Sequence, residues 1–244
     1  AYSFLRFCLN HGLLQIFNRP QWKTVLNGCK TYTDKALNEI DKKFLNEPVL
    51  EVISENNKVK LITDQRIENF DYCVMCSHPP ETLEMLKSVD FETKDLLSKF
   101  KFQKNEAVLH LDESVLPEKK IAWASWNYLS TKSIDGNDSV SVSYLINKLQ
   151  PLPFKKSVIV TLNPVSNIDN KKIIKKISYQ HPIFFPETIL AQDKFKNIQG
   201  RKGIYFSGAW MRNGFHEDGI LSTKKIIKQL LGNAAKNRNL IEVL

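Results

Sequence analysis

Apolar and polar positions follow two different periods along this chain, and the change of period divides it. From Tyr2 to Phe17 the apolar residues Phe4, Leu5, Cys8, Leu9, Leu13, Leu14 and Phe17 recur at helical spacing, up to a break at Arg19-Pro20. A second helix is expected after Gly28, running through Leu37 and Ile40. Beyond Pro48 the period shortens. Pro48–Ile53, Lys58–Ile62 and Phe70–Cys76 are short β-rich runs with turn-rich joints at Glu55–Asn57 and Asp64–Asn69, which predicts an antiparallel meander. Glu81–Lys87 reads as a short helix.

The middle alternates polar and apolar residues as a sheet with one buried face does: Ala107–Leu111, Ile121–Leu129, Ser139–Tyr144 and Ser157–Leu162, with a turn at Asp135–Asp138. Asp169–Ile177 reads as loop or helix with a lysine bias. Near the end, Gly203–Ser207 reads as a short buried strand and Gly219–Leu231 as an amphipathic helix, stopped by Gly232-Asn233. The fold class that follows is mixed α/β.

Composition adds limits. An apolar fraction of 42% and a charged fraction of 25% are those of a globular protein, which excludes disorder for the bulk of the chain. No apolar run approaches the length of a bilayer span. The N-terminal residues carry neither a secretory leader nor an initiating Met, and read as the interior of a longer protein. The net charge of +9 is spread over scattered lysines, so it predicts a solvated basic surface, with peripheral contact to an anionic membrane as the alternative. No nucleic-acid motif accompanies it, and no nucleic-acid partner is expected. Cys73 and Cys76 have CxxC spacing but no second pair, and they lie in an apolar strand; two buried reduced thiols and a cytoplasmic, reducing location are expected. The histidines show no ligand spacing, and no metal site is expected.

The chemistry concentrates in the stretch from Gly203 to Ser222. Gly208 ends a strand where close approach of a backbone or ligand is possible, and Gly219 is read as the start of a helix whose N–H groups and positive dipole end favour an electron-rich oxygen. Trp210, His216, Glu217 and Asp218 lie between them. Two readings stand side by side: a site for a polar aromatic ligand, or a helix simply capped by Asp218. On the middle sheet, alternation puts Trp126 and Tyr128 on one face and Trp123 and Asn127 on the other. The first pair would line a flat apolar pocket or belong to an aromatic core. His110 is either a proton carrier or a satisfied core histidine, and His181-Pro182 reads as a turn.

The segment Gly208-Ala209-Trp210 followed by Gly214-Phe215-His216-Glu217-Asp218-Gly219 resembles the C-terminal FAD-binding segment of the flavin amine oxidase superfamily, which includes monoamine oxidases, protoporphyrinogen oxidases and phytoene desaturases. It is most similar to the bacterial NAD/FAD-binding amine-oxidase-like subgroup. Further motifs run in the same order: Asn10–Leu14, Arg19–Trp22, Val108–Asp112, Ala122–Tyr128, Thr161–Pro164 and His181-Pro182. The resemblance implies the C-terminal part of a two-domain FAD-binding fold. Residues 1–45 would be substrate-side helices, 46–80 the FAD-domain meander and return strand, 81–200 an antiparallel substrate domain, and 201–244 the last FAD-domain strand and helix. It implies FAD contacts at Val49, Ser77, Pro79, Gly208, Ala209, Trp210, His216, Glu217, Asp218, Gly219 and Ile220, and a substrate side at His110, Trp126 and Tyr128. The implied activity is hydride transfer from a substrate C–H or C–N bond to flavin N5, on a small-molecule or lipid-like substrate.

Three departures from the family pattern qualify this. No G-x-G-x-x-G occurs, Ala209 replaces the family acid, and no lysine matches the one placed near N5. The first implies an N-terminal FAD-binding half supplied by another segment, or else a non-catalytic piece or subunit that needs that half in trans.

Overall fold

The computed structural model describes residues 5, 8–9, 12, 14–18, 21, 23–132 and 138–238. Half of the expected helix Tyr2–Phe17, and most of the Arg19–Trp22 motif and of the turn at Asp135–Asp138, lie outside these. The chain forms two compact units: residues 1–17, 44–102 and 182–244 in one, residues 18–43 and 103–181 in the other.

In the first unit, β1 (Glu51–Glu55), β2 (Lys58–Ile62) and β3 (Ile67–Phe70) form the antiparallel meander. The register pairs Ser54 with Val59 and Ile62 with Ile67. The third strand comes from the segment read as a turn, and β1 starts at Glu51 rather than Pro48. The run Phe70–Cys76 does not complete the meander. Its core, β4 (Cys73–Met75), leaves to pair in parallel with β10 (Ile204–Phe206). Gly203 permits this join: its φ is +76°, and a Cβ there would lie 2.9 Å from the Asp71 carbonyl oxygen.

Pro79 and Pro80 open α2 (Pro79–Met85), where a missing N–H costs nothing. The next helix, α3 (Phe91–Ser98), is capped by Asp90, whose side chain accepts from Thr93 N–H at 2.9 Å. Both helices pack in the core of this unit, where Val52, Val59, Leu96, Leu97, Phe100, Phe195, Ile198, Phe206 and Trp210 are buried. Residues 81–102 thus belong with the meander, whereas the sequence placed them in the sheet domain. α4 (Pro186–Lys194) and α5 (His216–Arg238) complete the unit. α5 runs through Gly232, so Gly232-Asn233 is not its stop.

The second unit holds α1 (Lys30–Asn38), which buries none of its residues, and most of a five-stranded antiparallel sheet. Its strands are β5 (Lys101–His110), β6 (Trp126–Lys132), β7 (Asp138–Leu145), β8 (Ile159–Leu162) and β9 (Ile173–Ile183), in the order β6-β7-β8-β5-β9. β9 corrects the loop-or-helix reading of Asp169–Ile177: its β-branched positions win over the lysines, which suit an edge strand. Residues 120–122 form a 3₁₀ turn, so the run Ile121–Leu129 is a strand only from Trp126, and Trp123 instead donates its Nε1–H to the Pro117 carbonyl at 2.7 Å.

The two faces of this sheet differ in what they bury. One face carries Asn127, Ser141, Ser143, Thr161 and His110, all at most 8% exposed. The other carries Trp126, Tyr144, Val160 and Leu109 in register, with Trp126 53% and Tyr128 68% exposed. The first face also buries Val108, Leu145 and Ile159, so polar and aliphatic side chains share the interior while Trp126 and Tyr128 are exposed. An exposed apolar patch and buried polar groups are both the informative kind of exception.

Candidate functional site

The parallel pair β4·β10 organises the first unit's site. Both strands run the same way, so Ser77-His78-Pro79 and Ser207-Gly208-Ala209 leave from the same end. Ligands of parallel sheets gather at this carboxyl end. α5 is stitched to it. Ser207 Oγ lies 3.0 Å from Ser222 Oγ and 2.8 Å from Thr223 Oγ1, and Gly208 N–H donates to Ser222 Oγ at 3.1 Å.

The loop between β10 and α5 is largely hydrogen-bonded to itself. Asp218 is its clamp. One carboxylate oxygen accepts from the amides of Asn213 (3.2 Å) and Phe215 (3.1 Å), and the other pairs with Arg212 Nε at 3.0 Å. Asp218 therefore does not act as the N-cap. It sits in the first turn of α5 and reaches back, and its side chain is turned to the loop rather than outward. Gly219 does not open the helix either: its N–H is committed to the Phe215 carbonyl at 3.3 Å. The helix start, and the donors that go with it, lie at His216 and Glu217, both exposed. Ile220, expected beside Gly219 as an amide donor, lies inside the helix and is 44% exposed.

Gly208 answers to a neighbour of its own. A Cβ there would stand 2.3 Å from Trp210 Nε1, because the indole folds back over the glycine. The close approach expected of a ligand is made by the chain's own side chain. Trp210 is buried between Phe100 (centroids 4.7 Å apart) and Phe195 (5.2 Å), so the ring has no room to yield. Gly208→Ala is expected to cost about 1–3 kcal/mol by overpacking. Urea unfolding would measure it, and Trp210→Ala in the same chain should remove most of that increment.

Among the described residues, two buried side-chain polar atoms lack hydrogen-bond partners: His78 Nδ1 and Trp210 Nε1. Both stand at this same strand end. His78 follows β4 and stacks on Phe102 at 4.5 Å, and Trp210 follows β10. His78 Nδ1 faces the Glu81 carboxylate at 3.8 Å in a capping box at the start of α2, which leaves the Trp210 N–H as the unpaired group at this strand end. Ser77 Oγ, 2.8 Å from Thr82 Oγ1, Pro79 at the start of α2 and half-buried Ala209 complete the end. Val49 precedes β1 and packs against the hydrophobic core below. These features fit the polar edge of a flavin, with His216 and Glu217 supplying the helix start in place of Gly219 and Ile220.

The substrate-side candidates lie in the other unit. His110 is fully buried with both ring nitrogens engaged. Asp112 N–H donates to Nδ1 at 3.1 Å, so the proton is on Nε2, which donates to Thr161 Oγ1 at 2.8 Å; Thr161 in turn lies 2.9 Å from Ser143 Oγ. Burial lowers its pKa, against the opposing pull of Asp112. It is a core histidine, not a proton carrier aimed at a ligand. Trp126 and Tyr128 do share a face, on the edge strand β6, with Trp126 edge-on to Tyr144 at 5.8 Å.

Asp112 was missed as a centre. Its buried carboxylate accepts from Asp169 N–H (2.9 Å), Ser114 N–H (3.2 Å) and Lys172 Nζ (3.0 Å). Burial pushes its pKa up, but these donors outweigh burial and hold the carboxyl well below the usual carboxylate range. Of the CxxC pair, Cys73 is half-buried and Cys76 exposed, which corrects the reading of two buried thiols. Burial, with Cys76 beside it, pushes Cys73 up to about 11 and leaves little thiolate for redox work. No helix among the described residues is long and apolar enough to cross a membrane.

The fold defined by these elements, a mixed α/β architecture with a short parallel pair, a meander and a separate antiparallel sheet, is of the amine-oxidase type. An Exiguobacterium protein assigned as a protoporphyrinogen oxidase superposes with a TM-score of 0.61 at 13% identity, over 94% of this chain and 57% of its own. The CLA-producing fatty acid isomerase from P. acnes gives 0.58 at 14%, over 83% and 52%. Putrescine oxidase bound to putrescine gives 0.56 at 8%, over 85% and 53%. The chain spans about half the length of these structures. At such identities the likeness establishes the fold. No protein-family model and no curated protein sequence matches the chain.

Proposed function

We propose that this chain supplies the flavin-edge and substrate-side portions of an FAD-dependent oxidoreductase. One observation carries the reading: the unpaired Trp210 N–H and the start of α5 gather at the carboxyl end of the parallel pair. Ser77, His78, Ala209, Trp210, His216 and Glu217 would hold the cofactor's polar edge. When bound, FAD supplies hydride acceptance from a substrate C–H or C–N bond. The positive end of α5 favours negative charge beside it. Trp126 and Tyr128, exposed on one face of the five-stranded sheet, are the candidates for contact with an apolar, lipid-like substrate.

A second reading, a subunit that needs a dinucleotide-binding half in trans, draws support from the parallel pair itself. Two strands of three residues each are too little for a parallel sheet, which is normally wider and covered on both faces. Val74, in the middle of β4, is 40% exposed. Both readings predict the same first result: the chain alone holds flavin weakly, and co-expression with a G-x-G-x-x-G segment yields a purified complex with a visible flavin absorbance band. Turnover of that complex with an electron acceptor separates the two. A complex that forms but carries no flavin would remove the assignment.

A further inference from the structure

One end of the five-stranded sheet combines lysines with apolar side chains that stand in solvent. β6 begins, β7 ends and β8 begins there, where Trp126 pairs with Tyr144 and Leu145 with Ile159, and β5 ends there at His110. Residues 111–125, 146–158 and 169–172 form this end, and all belong to the second unit. Hydrogen bonds lace them together. Lys148 Nζ donates to the Trp123 carbonyl and Asn147 Nδ2 to the Lys156 carbonyl at 2.9 Å, while Asn147 Oδ1 accepts from Val158 N–H at 2.7 Å. Ser157 Oγ donates to Glu113 Oε1 at 2.6 Å, and Leu111 N–H to the Lys172 carbonyl at 3.0 Å. Two loop tips, residues 119–122 and 151–156, are thus fastened beside the same 3₁₀ turn, Ile146–Lys148.

Each tip sets an apolar residue against a lysine pair. Ile121, in the 3₁₀ turn Lys120–Ala122, is 95% exposed and follows Lys119-Lys120; Phe154 is 50% exposed and precedes Lys155-Lys156. Leu149, beside Lys148, is exposed as well. The three segments hold seven lysines against four acidic residues, Asp112, Glu113, Glu118 and Asp169, so the positive excess is local to this end. Asp112 is paired with Lys172, the one ion pair at this end among the described residues, and Glu113 accepts from Ser157. Lys119, Lys155 and Lys156 are exposed without an ion pair among the described residues, and Lys120 lies 5.2 Å over the Trp123 ring. A nucleic acid offers bases for planar side chains to stack on and nothing for an isoleucine to enter. Aliphatic and aromatic tips among lysines match a bilayer surface, whose phosphates meet ammonium groups and whose acyl boundary takes the apolar side chains.

We propose that this end of the sheet docks on an anionic lipid surface, with Ile121 and Phe154 entering the acyl boundary and Lys119, Lys120, Lys155 and Lys156 meeting the phosphates. The surface lies within the second unit and does not depend on flavin binding.

The test is co-sedimentation of the full chain with vesicles of phosphatidylcholine alone and of phosphatidylcholine mixed with phosphatidylserine. Saturable binding to the mixed vesicles is expected, with little to the neutral ones, and added salt should weaken it. Lys155→Glu with Lys156→Glu should weaken binding about thirtyfold or more, because each lysine at an anionic surface contributes about fivefold. Ile121→Ser and Phe154→Ser should each weaken it about tenfold, the effect of one partly inserted side chain, whereas Ile121→Trp should bind at least as well as the wild type. All these positions are exposed, so the urea midpoint should stay unchanged and exclude misfolding as the cause. No binding to mixed vesicles, or equal binding to neutral ones, would overturn the proposal. Binding that the lysine variant abolishes and Ile121→Ser and Phe154→Ser leave intact would overturn it in favour of a general polyanion surface. A dimer in vesicle-free buffer that Ile121→Ser dissociates would overturn it in favour of a second copy of the chain.

Discussion

Trp210→Ala is expected to lower the stability of the first unit by about 3–5 kcal/mol, the range for removing a buried tryptophan. Its ring packs edge-to-face on Phe100 and Phe195, and Phe195 packs likewise on Phe206, so the loss opens a cavity in a cluster that cannot close over it. The check is the urea midpoint at unchanged slope. Trp210→Phe separates packing from chemistry. It keeps most of the ring contacts and removes the unpaired N–H, so it should cost far less stability while weakening flavin retention in the reconstituted complex. Unaltered retention would leave Trp210 a core residue only.

Asp112→Ala is expected to cost the second unit about 3 kcal/mol, since it strips Asp169 N–H, Ser114 N–H and Lys172 of one buried acceptor. The same carboxylate makes stability pH-dependent. Its folded pKa lies below the unfolded one, so its contribution is complete above the ordinary carboxylate range, begins to fall there, and is lost only as pH drops on through the lower folded pKa. Denaturant unfolding of the wild type should therefore weaken between pH 7 and pH 3 by more than that of Asp112→Asn. Equal losses would assign the acid sensitivity to other groups.

Much of the architecture could be read from spacing. The β2 strand, the strands within Ala107–Leu111, Ser139–Tyr144 and Ser157–Leu162, and the final strand appear where spacing puts them, because their apolar periods are regular. The errors have physical causes. Ile67–Phe70 looked like a turn because its flanks are polar and Ile67 is itself 63% exposed, so its pairing with β2 has no hydrophobic signature. β9 was hidden by lysines that belong to an edge. α5 begins three residues early because Asp218 reaches back to the Asn213 and Phe215 amides and so secures a turn that glycine placement alone put later.

The site divides in the same way. Gly208, Trp210 and His216-Glu217 could be singled out as residues, but not in their relations: that the glycine exists for the indole, or that His78 and Trp210 share a strand end, needs the parallel pairing of β4 with β10. The His181-Pro182 motif carried no sign of how the ring is oriented, because Asn105, which hydrogen-bonds it, lies 76 positions away.

What residue order alone decided is the kind of secondary structure each segment forms and which side chains are chemically able, since period, caps and functional groups are local properties. Which residues of the sheet are exposed, which donors are already spent, and which tautomer His110 keeps were decided only by tertiary structure. Those properties depend on contacts between strands distant in sequence, and local spacing carries no information about them.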